Sequence, residues 1–105
     1  MEHDEAKALF DSGVQKVSAG DTSGAIGDFS QVYDGWSGKG KARSAWNIAH
    51  CWGVEGNNQG QMEWLGEYLG LDGADAGRRP EALELFWRAW KGYQADLELF
   101  YQPED

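Results

Sequence analysis

Residues 46–57 read WNIAHCWGVEGN, and this stretch carries the clearest indication of the fold. Its apolar residues recur at intervals of three and four, which is the spacing of one face of an α-helix. Gly56 then stops the pattern, since glycine readily adopts the left-handed backbone with which many helices end. The stretch predicts an amphipathic helix that ends in a tight turn before the next helix.

The same helical spacing recurs along most of the chain, in five segments separated by glycine-containing turns. A short turn is predicted at 19–21, and longer loops are predicted at 35–40 and 70–77. Pro80 suits the first turn of the last helix, which is predicted to run to about Tyr101. No segment alternates apolar and polar residues as a strand would. The predicted fold class is therefore all-α, with about five helices.

Two helix pairs match each other position by position. A small residue in the first helix lets the two helices of a pair approach closely, and a glycine permits the turn between them. A third matched position lies early in the second helix, where Ala25 of the first pair allows a close contact. Four residues later, a large residue fills the space beside it. The first pair carries Gly13, Gly20, Ala25 and Phe29, and the second pair, 36 residues later, carries Ala49, Gly56, Gln61 and Leu65.

These positions resemble the tetratricopeptide-repeat (TPR) family, whose period is about 34 residues. The segment 25–29 reproduces the family's Ala-x-x-x-Phe signature, and residues 46–57 resemble the start of one of its repeats. The departures are Gln61, where the family has a small residue, and Ser12 and Lys16, where it has large ones. A five-helix bundle without repeats is the alternative.

The resemblance covers residues 5–72 and implies how the chain is divided. Residues 5–36 would form repeat one, residues 41–72 repeat two and residues 79–101 a capping helix, all within a single domain, 1–105. The helix pairs would be antiparallel and stacked as a short right-handed solenoid. Because three repeats are usually needed for stability, self-association is an open alternative.

In this family, the first helix of each pair lines a concave groove. Asn47 matches an asparagine that grips the backbone of a carboxylate terminus in the chaperone-binding members. Phe10 and Val14 stand where that clamp has lysine and asparagine, so a chaperone-tail receptor is not expected. What remains is an apolar groove for an extended peptide, unless the last helix buries it. The groove face implied by the resemblance comprises Phe10, Val14, Val17, Arg43, Trp46, Asn47 and His50.

The last helix carries a second candidate surface. Trp87 lies about 100° around the helix from Phe86 and three residues before Trp90, so one neighbouring helix cannot bury all three rings. An aromatic surface that stays exposed marks a contact site for a partner or for self-association. Core packing is the alternative explanation of this cluster, which also includes Tyr93, Phe100 and Tyr101.

Eighteen acidic and nine basic side chains give a formal net charge of −9. A field of that sign repels phosphate backbones and anionic lipids and attracts basic partners, so neither nucleic-acid binding nor membrane binding is expected. The N-terminus lacks the pattern of a secretory signal, and no apolar run is long enough to span a membrane. The single cysteine, Cys51, cannot form an intramolecular disulfide. A cytoplasmic location is expected.

No set of residues in the sequence suggests catalysis. His50 and Cys51 are adjacent on a helix and point about 100° apart, and no second cysteine supports a zinc site. Neither a cofactor nor a metal is expected. The sequence predicts a non-catalytic protein-interaction module, an adaptor or scaffold that binds a peptide or protein partner. The alternative is an acidic inhibitor, such as an immunity-type protein, that blocks a basic effector.

Overall fold

The structure, a computed structural model, describes residues 1–100, with side chains up to Leu99. Within these residues it contains helices and no strand, which confirms the predicted all-α class. None of the described helices combines the length and the apolarity that crossing a bilayer requires. The predicted helix end at Tyr101 lies outside the described residues. The helices are α1 (His3–Ser18), α2 (Thr22–Gly35), α3 (Gly38–Val54), α4 (Asn58–Leu69) and α5 (Arg79–Phe100), with a 3₁₀ turn at Ala76–Arg78 before α5.

Each helix packs against the one that follows it in the chain. Links of two or three residues join the first four helices, so the chain reverses direction at each link and successive helices are antiparallel. The stack measures 59 × 29 × 20 Å, an elongated shape that is typical of a solenoid. The two helix pairs span residues 3–35 and 38–69, within a few residues of the predicted repeats 5–36 and 41–72.

Helices α1 and α3 end in the same way. Gly20 and Gly56 have φ angles of +83° and +73°, where a side chain would be strained. The N–H of Asp21 donates to the Lys16 carbonyl at 2.8 Å, and the equivalent bond from Asn57 measures 2.9 Å. These bonds belong to a Schellman motif, which pairs carbonyls that a helix end would otherwise leave free. The predicted glycine turns are confirmed.

The residues that close these turns also begin the next helices. The Asp21 carboxylate accepts a hydrogen bond from the Gly24 N–H at 2.9 Å, and the Asn57 side chain accepts one from the Gly60 N–H at 2.8 Å. Such N-caps satisfy amides that the first helical turn cannot pair. The turn and its cap are therefore repeated with the same 36-residue offset as the sequence pattern.

Inside the first pair, Gly13 brings α1 close to α2. A Cβ at Gly13 would lie 2.7 Å from the Phe29 ring, which is closer than two carbons can pack. Inside the second pair, Ala49 and Leu65 occupy the corresponding positions, and both are buried. The close approach of a small residue to a large one is thus observed in the first pair, and in the second pair both corresponding residues lie in the interior.

Polar side chains join the first helix pair at positions where the TPR pattern has large residues. Ser12 Oγ donates to Asp28 Oδ2 at 2.7 Å, and Lys16 Nζ lies 2.9 Å from the same oxygen. Burial by itself would raise the pKa of Asp28, but the Ser12 hydrogen bond and the Lys16 ammonium outweigh it and hold the pKa below the ordinary value of 3.8. Asp28 is therefore ionised at neutral pH and links α2 to α1.

The glycine-rich stretch 35–40 was predicted to be a loop, and this prediction is wrong for most of its length. Only Trp36 and Ser37 separate α2 from α3, and residues 38–40 belong to the first turn of α3. The Trp36 ring packs directly on Gly40, because a Cβ there would lie 2.5 Å from the indole. Gly40 leaves space for the Trp36 ring on the surface of α3. Composition alone cannot distinguish a glycine with this packing role from a glycine in a loop.

Candidate partner-binding groove

A cavity of about 620 Å³ opens between α1, α3 and the chain segment that leads into α5. This segment, residues 72–78, forms one wall, and α3 forms the floor. No residue of α5, as far as that helix is described, lines the cavity, so the last helix leaves the groove open. Among the residues predicted to face the groove, the cavity brings together Phe10, Arg43, Trp46 and Asn47.

Trp46 is held in place from two sides. Its ring centroid lies 5.2 Å from that of Tyr68, at an interplanar angle of 58°. The Arg78 guanidinium lies 4.7 Å from the centroid of the Trp46 ring, within the range of a cation–π contact. The indole is half-buried and lines the cavity, so it offers a flat apolar surface in a fixed orientation.

Close contacts hold the wall against the floor. Gly73 lies directly against Gly38 at the start of α3, where any Cβ would collide with the Gly38 carbonyl. The N–H of Asp75 donates to the Tyr68 hydroxyl at 3.3 Å. The buried Tyr68 ring also packs against Trp46, so the Tyr68 side chain contacts both the wall, through Asp75, and the floor, through Trp46.

The groove is cationic, although the protein is acidic. Lys39, Arg43 and Arg78 line it, and in the described part of the chain none of them forms a salt bridge. Asp72 and Asp75 lie along the same cavity. Three positive groups therefore face two negative ones, whereas the whole chain carries a net charge of −9. A ligand that brings a carboxylate finds charged hydrogen-bond donors here.

Three residues of the predicted groove face lie outside the cavity. Val14 is 43% exposed on α1, and His50 is exposed on α3. Val17 is half-buried and packs against the core around Phe29. The cavity thus occupies one end of the predicted face, near the start of α3. Partner binding by any of these residues stays a prediction.

Trp87 and Trp90 lie on α5, away from the cavity. Their ring centroids are 5.5 Å apart in an edge-to-face arrangement. Trp87 is 53% exposed, whereas Trp90 is half-buried. The expectation that one neighbouring helix leaves part of this aromatic cluster exposed is confirmed.

Sequence reasoning misses the wall of the groove. Tyr68, Asp75 and Arg78 line the cavity from α4 and from a segment that the sequence identifies only as a loop. One signal does exist in the sequence, because five of the nine basic residues fall within 39–43 and 78–79. Three of these five, Lys39, Arg43 and Arg78, line the cavity, whereas Lys41 and Arg79 do not.

His50 and Cys51 do not share a site. Cys51 is fully buried, and burial, followed by the negative charge of Glu55, raises the pKa of its thiol. A raised pKa keeps the thiol protonated and lowers its reactivity. His50 is exposed on another side of α3. Across residues 1–100, no three His, Cys, Asp or Glu side chains are grouped so that they could hold a metal ion.

A second recess, of about 500 Å³, lies on the surface of α2 and α4. It is lined by two aromatic residues, Tyr33 and Trp64, and by two glutamates, Glu63 and Glu67. The Tyr33 hydroxyl donates to Glu67 Oε2 at 2.7 Å, and this hydrogen bond, together with burial, raises the pKa of Tyr33 to about 12. The Lys41 ammonium lies 4.3 Å from the centroid of the Tyr33 ring. This recess is acidic and aromatic, so its charge is opposite to that of the groove.

Comparisons with known proteins add no relative to this description. No family model, no curated protein and no solved structure matches the chain. A function can therefore be argued only from the geometry and the charge of the chain's own surfaces.

Proposed function

We propose that this chain is a non-catalytic protein-interaction module, a TPR-like adaptor or scaffold, and that it binds an extended peptide segment of a protein partner in the groove. The observation that carries the proposal is the open cavity of about 620 Å³ with Trp46 as a fixed aromatic surface and Asn47 and Arg43 beside it. Cavities of this size, apolar at the base with a few convergent polar groups, are the usual sites of ligand recognition.

Each groove residue has a chemical role in this proposal. The Asn47 amide offers both a donor and an acceptor, which matches the C=O and N–H of an extended peptide backbone. Trp46 and Phe10 supply apolar contact for an anchoring side chain. Arg43 and Lys39 supply charged donors for a carboxylate of the partner. The expected ligand is an extended peptide with an apolar side chain and at least one Asp or Glu.

The TPR-like character is part of the proposal and rests on this chain's own repeat. Two helix pairs share their turn and their N-cap at a constant offset of 36 residues. In such a stack the first helices of the pairs form a common surface for a partner, and here α1 and α3 both line the cavity. A cytoplasmic location fits a chain whose single cysteine is a buried free thiol.

The groove can be tested without knowing the natural partner. A phage-displayed library of short random peptides is selected on the full chain, and the recovered peptides are synthesised. We expect them to combine an apolar residue with Asp or Glu. In the double variant Lys39→Gln/Arg43→Gln we expect their affinity to fall about tenfold, or about 1.4 kcal/mol. Amide chemical shifts should move at residues 39–47 and 72–78 when the peptide binds.

The matched control is Arg88→Gln/Lys91→Gln, which removes the same charge from α5, outside the groove. Both side chains are exposed, and Arg88 forms only a surface pair with Glu84, so the fold should tolerate their loss. Peptides that bind the groove variant as tightly as the wild type, or that shift amides elsewhere, would show the groove proposal to be wrong.

The recess on α2 and α4 favours a second candidate function, an acidic inhibitor of a basic effector. Glu63 and Glu67 beside the Tyr33 and Trp64 rings suit an arginine or lysine of such an effector. The charge of the partner distinguishes the two candidates. An acidic inhibitor should bind a basic protein, at an association rate that falls steeply as salt rises, whereas the groove should select acidic peptides through Lys39 and Arg43.

A further inference from the structure

Helix α5 has two faces, and α4 covers only one of them. On the covered face, Ala82 and Ala89 are buried, and Phe86 packs on Gly66. At the far end of this contact, Asn58 Nδ2 donates to Asp96 Oδ2 at 3.1 Å. These residues recur at intervals of three and four, as expected for one helix lying along another.

The outer face of α5 carries a strip of apolar side chains. Leu83 and Leu97 are 38% and 47% exposed, and Trp87 and Trp90 lie between them. With Gln94 in line, these positions alternate in spacing between four and three residues. That is the spacing of a seam along which two helices pack as a coiled coil. We call the five residues Leu83, Trp87, Trp90, Gln94 and Leu97 the α5 strip.

Helix α3 shows how an apolar helix face of this kind is buried when helices pack on both sides. It lies between α2 and α4, which together bury residues on both of its sides, among them Ala42, Ala45, Ile48 and Cys51. Helix α5 has α4 on one side, and in the described part of the chain no further helix follows it. The α5 strip is therefore an apolar helix face of the kind that α3 buries, without the helix to cover it.

We propose that the α5 strip binds the α5 strip of a second copy of this chain, with the two helices antiparallel. A two-fold axis places the same strip on both sides, so each tryptophan of one copy meets a tryptophan of the other. In the register centred on the two tryptophans, which we call the centred register, Trp87 faces Trp90 of the second copy and Leu83 faces Gln94. Leu97 then faces Pro80, in the first turn of α5. This proposal is independent of the groove, which lies on α1 and α3.

Charges beside the strip select this register. Glu84 and Lys91 each follow a seam position directly, so they flank the strip on the same side. In the centred antiparallel register, Glu84 of each copy lies opposite Lys91 of the other, which gives two symmetric ion pairs. A shift by one heptad would instead place Lys91 opposite Lys91. Glu84 Oε1 already accepts from Arg88 at 2.6 Å, and its second oxygen can accept from Lys91 of the second copy.

The size of the strip sets the strength of this dimer. Four large apolar side chains from each copy bury on the order of 1,000 Å² in total, which is at the lower limit for a specific interface. An interface of that size between two acidic chains supports a dissociation constant on the order of 10 µM. The chain should therefore be monomeric when dilute and dimeric when concentrated.

Sedimentation velocity of the full chain over a concentration series tests the proposal. We expect a reversible monomer–dimer equilibrium, and we expect Trp87→Gln to weaken it at least about tenfold. Because Trp87 is half exposed, this variant should keep its fold, which circular dichroism checks. Val54→Gln, at a 60% exposed position on α3, is the matched control and should dimerise like the wild type.

A charge-exchange pair tests the register. Lys91→Glu and Glu84→Lys should each weaken self-association, because each places like charges in both flanking pairs. An equimolar mixture of the two variants should restore dimers, since every pair is then opposite in charge. A chain that stays monomeric at high concentration, a Trp87→Gln variant that dimerises normally, or a mixture that fails to recover would each overturn the proposal. Arg43→Gln, in the groove, should dimerise normally.

Discussion

The two helix pairs share one frame and differ in what fills it. Their turns and caps agree hydrogen bond by hydrogen bond, 36 residues apart. Between the helices, the first pair has the polar contact of Ser12, Lys16 and Asp28. The second pair has Ile48, Trp52 and Trp64 at the corresponding positions, and these pack in or against the buried core. The same arrangement of two antiparallel helices thus accommodates either a charged contact or an apolar contact between them.

The small and large positions of the two pairs differ in a compensating way. The first pair sets Gly13 against Phe29, and the second pair has buried Ala49 and Leu65 at the corresponding positions. A larger residue on one helix thus goes with a smaller residue on the other, so the space between the helices is filled in both pairs. Backbone hydrogen bonds at the turns and caps therefore determine the helix arrangement of each pair. The side chains between the helices can differ as long as their total volume is kept.

The largest expected effect comes from emptying the large position in either pair. Phe29→Ala should lower the free energy of unfolding by about 3–5 kcal/mol, and Leu65→Ala by about 2–5 kcal/mol, because both side chains are buried. Urea unfolding followed by circular dichroism measures both values. If the pairs form one core, each variant should unfold in a single transition. Separate transitions for the two pairs would contradict this. Val54→Ala, at an exposed site, should change little.

A smaller effect should come from filling the small position. Gly13→Ala places a Cβ 2.7 Å from the Phe29 ring and should cost about 1–3 kcal/mol. Phe29→Leu in the same chain reproduces the alanine and leucine that the second pair has at positions 49 and 65, and it should recover part of the loss. A double-mutant cycle measures this coupling, and additive effects would show that the two positions do not compensate for each other.

The smallest effect should come from the polar contact of the first pair. Asp28→Asn should lower the free energy of unfolding by about 1 kcal/mol at neutral pH, a modest value because Lys16 is 38% exposed and its charge is partly screened. The folded-state pKa of Asp28 is lowered, so the carboxylate stabilises the fold above about pH 4. This contribution is lost as the pH falls through the lowered value.

Thermal unfolding at a series of pH values gives the test for Asp28. The difference in stability between wild type and Asp28→Asn should be constant near neutral pH and should shrink below about pH 4. A difference that grows on acidification would mean that Asp28 has a raised pKa in the folded protein. Leu65→Ala, in the pair without this polar contact, should show no such pH dependence.

The sequence predicts the helices and their pairing because these depend on local signals. Apolar spacing marks the helix faces, and Gly20 and Gly56 mark turns at which only a residue tolerant of positive φ fits. The sequence does not predict the start of α3, because Gly40 packs against the Trp36 ring, and composition cannot reveal a contact between two residues. Ser12 and Lys16 depart from the residues that the repeat pattern predicts, and the structure shows the reason, because both contact the Asp28 carboxylate.

The groove was predictable only in part. Asn47 and Trp46 follow from helical position, so a face could be assigned to them. The wall could not be assigned, because it depends on Gly73 meeting Gly38 and on the Tyr68 hydroxyl meeting the Asp75 amide. Those contacts join residues that are distant in sequence and carry no periodic signal. The sequence shows two clusters of basic residues, but only the structure shows that Arg78 and Arg43 line the same cavity.

The turn that Gly20 and Asp21 form, and that Gly56 and Asn57 repeat, makes the length of this molecule adjustable. Its hydrogen bonds are all local, so a further copy of a helix pair could be inserted without redesigning the pairs on either side. Each added pair would extend the row of groove-forming helices by roughly one interhelical distance, about 10 Å. The length of partner that the surface can contact would then increase with the number of helix pairs. The first and last helices of the stack would keep their present residues.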